Sequence, residues 1–266
     1  GRAAWCGSAR APLSPWSLVP GPRSPVPALL STRLNSLGQP IGPALDGWTP
    51  PPRPSRQAID GAWTRLEPLD PARHTRPLWD ANALDVEGRN WTYLPIGPFD
   101  RVEDYGAWLE RMAAGEDPLF FTIVDRAGDR PVGVASFLRI DPAAGSIEVG
   151  HINYSPLAQR TRAATETMYL MMREAFRLGY RRYEWKCDAL NAPSRAAAER
   201  LGFTFEGIFR QATIYKGRSR DTAWYSILDS EFPVLERAFG AWLAPANFDD
   251  AGKQRRRLPD LIADAR

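Results

Sequence analysis

The pattern of apolar and polar positions is irregular over the first 60 residues and strongly periodic after them. Ala62-Trp63-Thr64-Arg65-Leu66-Glu67 alternates with a period of two and predicts a strand. Pro71 to Ala83 predicts a helix, with Asp70 as N-cap and Pro71 in the first helical position, where the missing N–H costs nothing. Asn90 to Phe99, rich in Trp, Tyr and Pro, reads as a loop. A second helix is expected from Asp100, with Glu103 as its capping-box partner and Val102, Tyr105, Leu109 and Met112 at helical spacing.

Three strands are predicted next, Leu119 to Asp125, Val132 to Ile140 and Ser146 to Tyr154, joined by turn sequences short enough for an antiparallel meander. In the third, Gly150 interrupts Ile147, Val149 and Ile152, which signals a bulge or the close approach of a ligand. Pro156 closes that strand because it cannot donate to a ladder. The following helix carries Ala164, Met168, Met171, Ala175 and Leu178 on one face and stops at Gly179. In the strand Arg181 to Asp188, Tyr183, Trp185 and Cys187 face one way, and Arg182, Glu184 and Lys186 the other. Asn191 caps a helix that Gly202 ends. Phe203 to Ile214 and Thr222 to Leu228 pair around Lys216-Gly217-Arg218, and Ser230 to Leu243 is the last predicted helix.

Composition narrows the picture. A hydrophobic fraction of 44% and a charged fraction of 24% are those of a soluble globular protein. No apolar run approaches the roughly 20 residues of a membrane helix. A formal charge of +3 gives no argument for nucleic acid, although Lys253 and Arg255 to Arg257 form one short basic run. Two cysteines, Cys6 and Cys187, and two histidines, His74 and His151, supply neither a disulfide framework nor a metal site, so no metal is expected. Residues 1–60 are expected as an extended Pro/Ser/Arg-rich segment, of which Gly1 to Asn35 should be dispensable for folding, 61–245 as the folded domain and 246–266 as a polar basic tail. No acid occurs before Asp46, a composition that also suits an organelle transit peptide, but the prolines break any amphipathic helix, and a cytoplasmic location is the simpler expectation.

The chemistry gathers around residues 146–165. A strand, a basic loop and a helix N-terminus follow one another there, and loose N–H groups, the helix dipole, Arg160 and Arg162 all favour phosphate. The loop reads Gln159-Arg160-Thr161-Arg162-Ala163-Ala164 and resembles the Gln/Arg-x-x-Gly-x-Gly/Ala fingerprint of the GNAT N-acetyltransferases, with Arg162 at the first Gly. Asn191-Ala192-Pro193-Ser194 and Arg200-Leu201-Gly202-Phe203 add a similarity to the ribosomal-protein-acetylating, Rim-type branch. The resemblance implies an α/β GNAT fold, a mixed and mostly antiparallel sheet flanked by helices. It also implies direct acetyl transfer from acetyl-CoA to a primary amine, a protein N-terminus or a small molecule, in a ternary complex.

By the same resemblance, Ile152 and Tyr154 border the pantetheine, residues Gln159, Arg160, Thr161, Arg162, Ala163 and Ala164 surround the pyrophosphate, and Asn191 reaches the cofactor. Candidates for catalysis are Glu148 as general base, His151 as the other base, and Ser194 as the acid that returns a proton to sulfur. Each has a plainer reading: an ion-paired strand Glu, a packed His, a polar first turn. Cys187 alternates with core aromatics and is read as buried and inert. Because Arg162 replaces a Gly needed for close approach, a non-catalytic acyl-CoA-binding module is the alternative function.

Overall fold

Period-two and period-3.6 patterns become sheet and helices largely where expected. The computed structural model describes residues 33–266. The chain forms two units, one ending at Gly47 and the other running from Trp48 to Arg266. In the described part of the first, β1 (Arg33–Leu34) pairs antiparallel with β2 (Pro40–Ile41). The Asn35 side chain accepts the N–H groups of Leu37 and Gln39 inside that turn. The transit-peptide expectation falls mostly on residues outside the described ones.

The second unit is built on an eight-stranded sheet: β3 (Ile59–Asp60), β4 (Thr64–Pro68), β5 (Leu119–Asp125), β6 (Arg130–Asp141), β7 (Ser146–Tyr154), β8 (Arg182–Asp188), β9 (Thr204–Tyr215) and β10 (Arg218–Leu228). Their spatial order is β3-β4-β5-β6-β7-β8-β10-β9, antiparallel throughout except for β7 against β8. The helices are α1 (Pro71–Asn82), α2 (Val102–Ala114), α3 (Arg162–Leu178), α4 (Ala192–Arg200), α5 (Phe232–Leu243) and α6 (Leu258–Ala265). Alternation along β5 divides the core. Leu119, Phe121 and Ile123 join the large cluster under α3 and α5, while Phe120 joins a smaller aromatic cluster with Trp91, Tyr105 and Trp108.

A buried acid ties α3 to the head of the sheet. The Glu166 carboxylate accepts the N–H groups of Ala62, Trp63 and Thr64 at 2.8, 2.6 and 2.8 Å. A Cβ at Gly61 would stand 2.5 Å from Glu166 Oε2, so only glycine fits that turn. This fixes Trp63 beside the start of α3.

Four expectations need correction. The capping box at Asp100 does not form: Arg101 occupies the cap position without a side-chain cap, and Glu103 pairs with Arg101 instead. The folded unit begins well before residue 61. Trp48 to Asp60 belongs to it, Arg53 donates to Ile140 O and pairs with Asp117, and β3 extends the sheet. The strand predicted from Thr222 starts at Arg218, directly after the turn. Residues 246–266 are not a polar tail, since Leu258, Leu261 and Ile262 of α6 are buried in the large cluster. Arg256 and Arg257 of its basic run are ion-paired to Asp264 and Asp260.

Candidate active site

Strands β7 and β8 pair in parallel only from Ser146 opposite Arg182 to Val149 opposite Trp185. Beyond that point they part. The cause lies on the other side of β7, where Gly150 faces Ser136 and Asn153 faces Val134, so β7 carries an extra residue. His151 lies in this bulge with φ +49°, and the bulge turns the strand away from β8. Gly150 foreshadows the feature, but the left-handed residue is its neighbour. The parted strands open a groove of about 1630 Å³, and every candidate catalytic or cofactor-binding residue named from the sequence lines it except Ala163, which is buried in the first turn of α3.

At one end is the basic loop. Arg160 has φ +61°, and Thr161 caps α3, its Oγ1 accepting from Ala164 N at 3.1 Å. Thr161 N donates to Ala158 O. The donor set expected for pyrophosphate is therefore smaller than the whole loop: among the described residues, the N–H groups of Arg160, Arg162 and Ala163 are left without an acceptor. Gln159 braces the loop, donating to Asn90 Oδ1 at 2.8 Å and to Tyr154 O at 3.2 Å. The Tyr154 hydroxyl donates to Ala164 O at 2.9 Å, and burial pushes the phenol well above its usual range. Arg162 does not block the loop. Its guanidinium lies between the rings of Trp63 and Phe248, 4.2 and 4.1 Å from their centroids.

The middle of the groove holds the titratable groups. Glu148 is 3% exposed, with Arg139 Nη1 at 2.7 Å and Lys186 Nζ at 2.9 Å from Oε2. Burial pushes the carboxyl above the ordinary glutamate range, and the two cations oppose that rise. Lys186 also pairs with Glu184 and stands 3.8 Å from the Trp224 ring centroid. The His151 ring packs on Phe120, and Nδ1 is 2.9 Å from Ser136 Oγ. Burial draws its pKa down to about 4, so the ring is neutral near pH 7. Ser194 Oγ accepts from Trp185 Nε1 at 3.0 Å, and the hydroxyl is within hydrogen-bond reach of the Cys187 thiol. Asn191 caps α4 through Oδ1, which accepts Ser194 N. Cys187 is a buried thiol pushed up by burial, unsuited to be a nucleophile.

Several groove residues had no clear signal in the sequence. Arg139 and Lys186 reach Glu148 from neighbouring strands, though the outward alternation of Arg182, Glu184 and Lys186 hinted at one of them. Glu206, the acid on β9, does not line the groove and is held by Arg182 and by Ser226. Both amide atoms of the buried Asn153 have no partner among the described residues, and Asn153 lines the groove. Next to the groove-lining Tyr215 and Tyr93, Lys216 Nζ donates to Trp91 O and Arg218 Nη2 to Thr92 O, each at 2.7 Å, so the β9–β10 turn bridges to the 90–99 loop.

Residues 65–204 match the family model described as an acetyltransferase (GNAT) domain. A GCN5-related N-acetyltransferase from Brucella melitensis is 47% identical, with a TM-score of 0.81 over 82% of this chain and 100% of that one. The chain belongs to the GNAT acetyltransferase family. A probable acetyltransferase of the same family from Chromobacterium violaceum is 40% identical, with a TM-score of 0.69 over 73% and 98% of the two chains. An acetyltransferase from Salmonella typhimurium that modifies the N-terminal serine of a ribosomal protein shares the fold, at 20% identity and a TM-score of 0.55 over 64% and 98%. No curated protein matches the chain.

GNAT domains use acetyl-CoA, and this groove suits it: parted strands, a cationic loop at one end and unpartnered amide atoms between. Among the described residues no cluster of His, Cys, Asp or Glu is placed to hold a metal, and no helix is long and apolar enough to cross a membrane.

Proposed function

We propose that this GNAT protein moves an acetyl group from acetyl-CoA to a primary amine by direct attack in a ternary complex. The parting of β7 from β8 beside a bulge carries this reading, because it frees backbone donors of Ile152 and Tyr154 for a pantetheine arm. Acetyl-CoA supplies a thioester carbonyl open to an amine. Arg160, Arg162 and Ala163 offer N–H groups to the pyrophosphate, and Asn191 and Asn153 offer amide atoms along the arm. Glu148 takes the proton of the attacking amine, directly or through water, and burial makes it a stronger base than an exposed glutamate. Ser194 relays a proton to the departing sulfur. His151, neutral and packed, is the weaker candidate for base.

The clamped Arg162 side chain removes the motive for a purely acyl-CoA-binding module. The acceptor end is bounded by the bridge from Lys216 and Arg218, which favours an amine on a slender carrier, a chain end or a small molecule, over a side chain on a folded surface. A buried free Cys187 accords with a reducing, cytoplasmic setting. The test is acetyl-CoA with a panel of peptides and small amines, read by mass spectrometry. Acetylated product is expected; CoA binding with no acetyl transfer to any amine would return the binding-module reading.

A further inference from the structure

The cofactor end of the groove holds more positive charge than a pyrophosphate requires. Arg160, Arg162, Arg200 and Lys253 line it, and among the described residues no carboxylate pairs with any of them, whereas Arg139, Arg182, Arg256 and Arg257 are all ion-paired. A pyrophosphate diester carries about −2, and a phosphomonoester adds about −1.5 to −2. Coenzyme A bears both, the monoester being its 3′-phosphate.

Two of these cations depend on the chain beyond the matched domain. Arg200 Nη2 donates to Thr165 Oγ1 at 3.0 Å, and its guanidinium lies 5.4 Å from the Trp242 ring centroid. Trp242 Nε1 donates to Gln254 Oε1 at 2.7 Å, and Trp242 meets Phe248 edge-on at 5.2 Å. Phe248 is half of the clamp on Arg162. The segment 245–257 is itself fixed in shape. Asn247 accepts Arg256 N and donates to Trp242 O, Asp249 exchanges bonds with Lys253, and Gly252 turns the chain with φ +77° against the Arg162 guanidinium. This strap brings Lys253, the neighbour of Gln254, into the lining of the groove that Arg200 also lines.

We propose that Arg200 and the strap's Lys253 form a second anion subsite that takes the 3′-phosphate of coenzyme A. The proposal rests on the acetyl-CoA reading above and goes beyond it: it makes the enzyme selective against 3′-dephospho-CoA. Calorimetry on the full chain with CoA and with 3′-dephospho-CoA tests it. The wild type is expected to bind CoA about tenfold or more tightly, the worth of one charge-assisted contact. Lys253→Glu, at an exposed position, and Arg200→Gln should each bring the ratio toward one by weakening CoA alone, while Arg200→Lys keeps most of it. Thermal melts confirm folding of the Arg200 variants. Equal wild-type affinities, or a Lys253→Glu that weakens both ligands alike, overturn the subsite and leave the cofactor reading standing. No binding of either ligand overturns both.

Discussion

Arg162 shows how one residue can break a motif without breaking the site. A glycine is used at that point so that a phosphate can approach the backbone. Here the side chain is drawn out of the way between Trp63 and Phe248, and its charge stays at the loop. Arg160, exposed and without such a clamp, gives the simpler probe: Arg160→Glu should weaken CoA binding about tenfold in a normally folded protein, by calorimetry. Glu148→Gln should lower kcat by about 100- to 10,000-fold with CoA affinity unchanged. Since the base form is the active one, the wild-type rate should rise with pH through a pKa above the ordinary glutamate range, and that limb should vanish in the variant. An unaltered profile would move the base elsewhere. His151 makes a different prediction. Its pKa falls from 6.5 unfolded to about 4 folded, so the unfolded state binds the extra proton and stability drops as pH falls from 6.5 to 4. The contribution is at most about 3 kcal/mol. His151→Asn, which tolerates φ +49° and does not titrate, should flatten the dependence of melting temperature on pH in that window.

Among the elements, the bulged strand β7 and the β9–β10 turn divide the labour. The bulge opens the groove and the turn bounds it. Among the described residues, two side chains make the bridge from that turn, Lys216 and Arg218, donating to main-chain carbonyls that any sequence would supply. Lys216→Ala with Arg218→Ala should therefore leave CoA affinity intact and change KM for the acceptor, with bulkier amines gaining relative to small ones. Steady-state kinetics on a size series of amines checks this, and an unchanged series would mean that the bridge does not limit entry.

Across the whole molecule, the C-terminal residues serve the domain twice. The strap reaches the cofactor groove, and α6 seals the large core against α5. Leu258 is fully buried, so Leu258→Ala should cost about 2–5 kcal/mol in chemical denaturation, unlike a substitution in a solvated tail. A cost under about 0.5 kcal/mol would restore the tail reading.

What the sequence determined by itself was local: the strands from period-two runs, α1 and α3 from their caps and apolar stripes, and a phosphate-suited loop between strand and helix. These depend on neighbours within a turn or two of chain, and such patterns are written in order. The groove was decided by distant encounters. Glu148 meets Lys186 from the neighbouring strand, Arg162 meets Phe248 over 86 residues, and α6 shares its buried cluster with α5. The strap and α6 together resemble solvated tail in composition because the surface that buries Leu258 comes from α5 and the rest of the core, which only the folded chain provides.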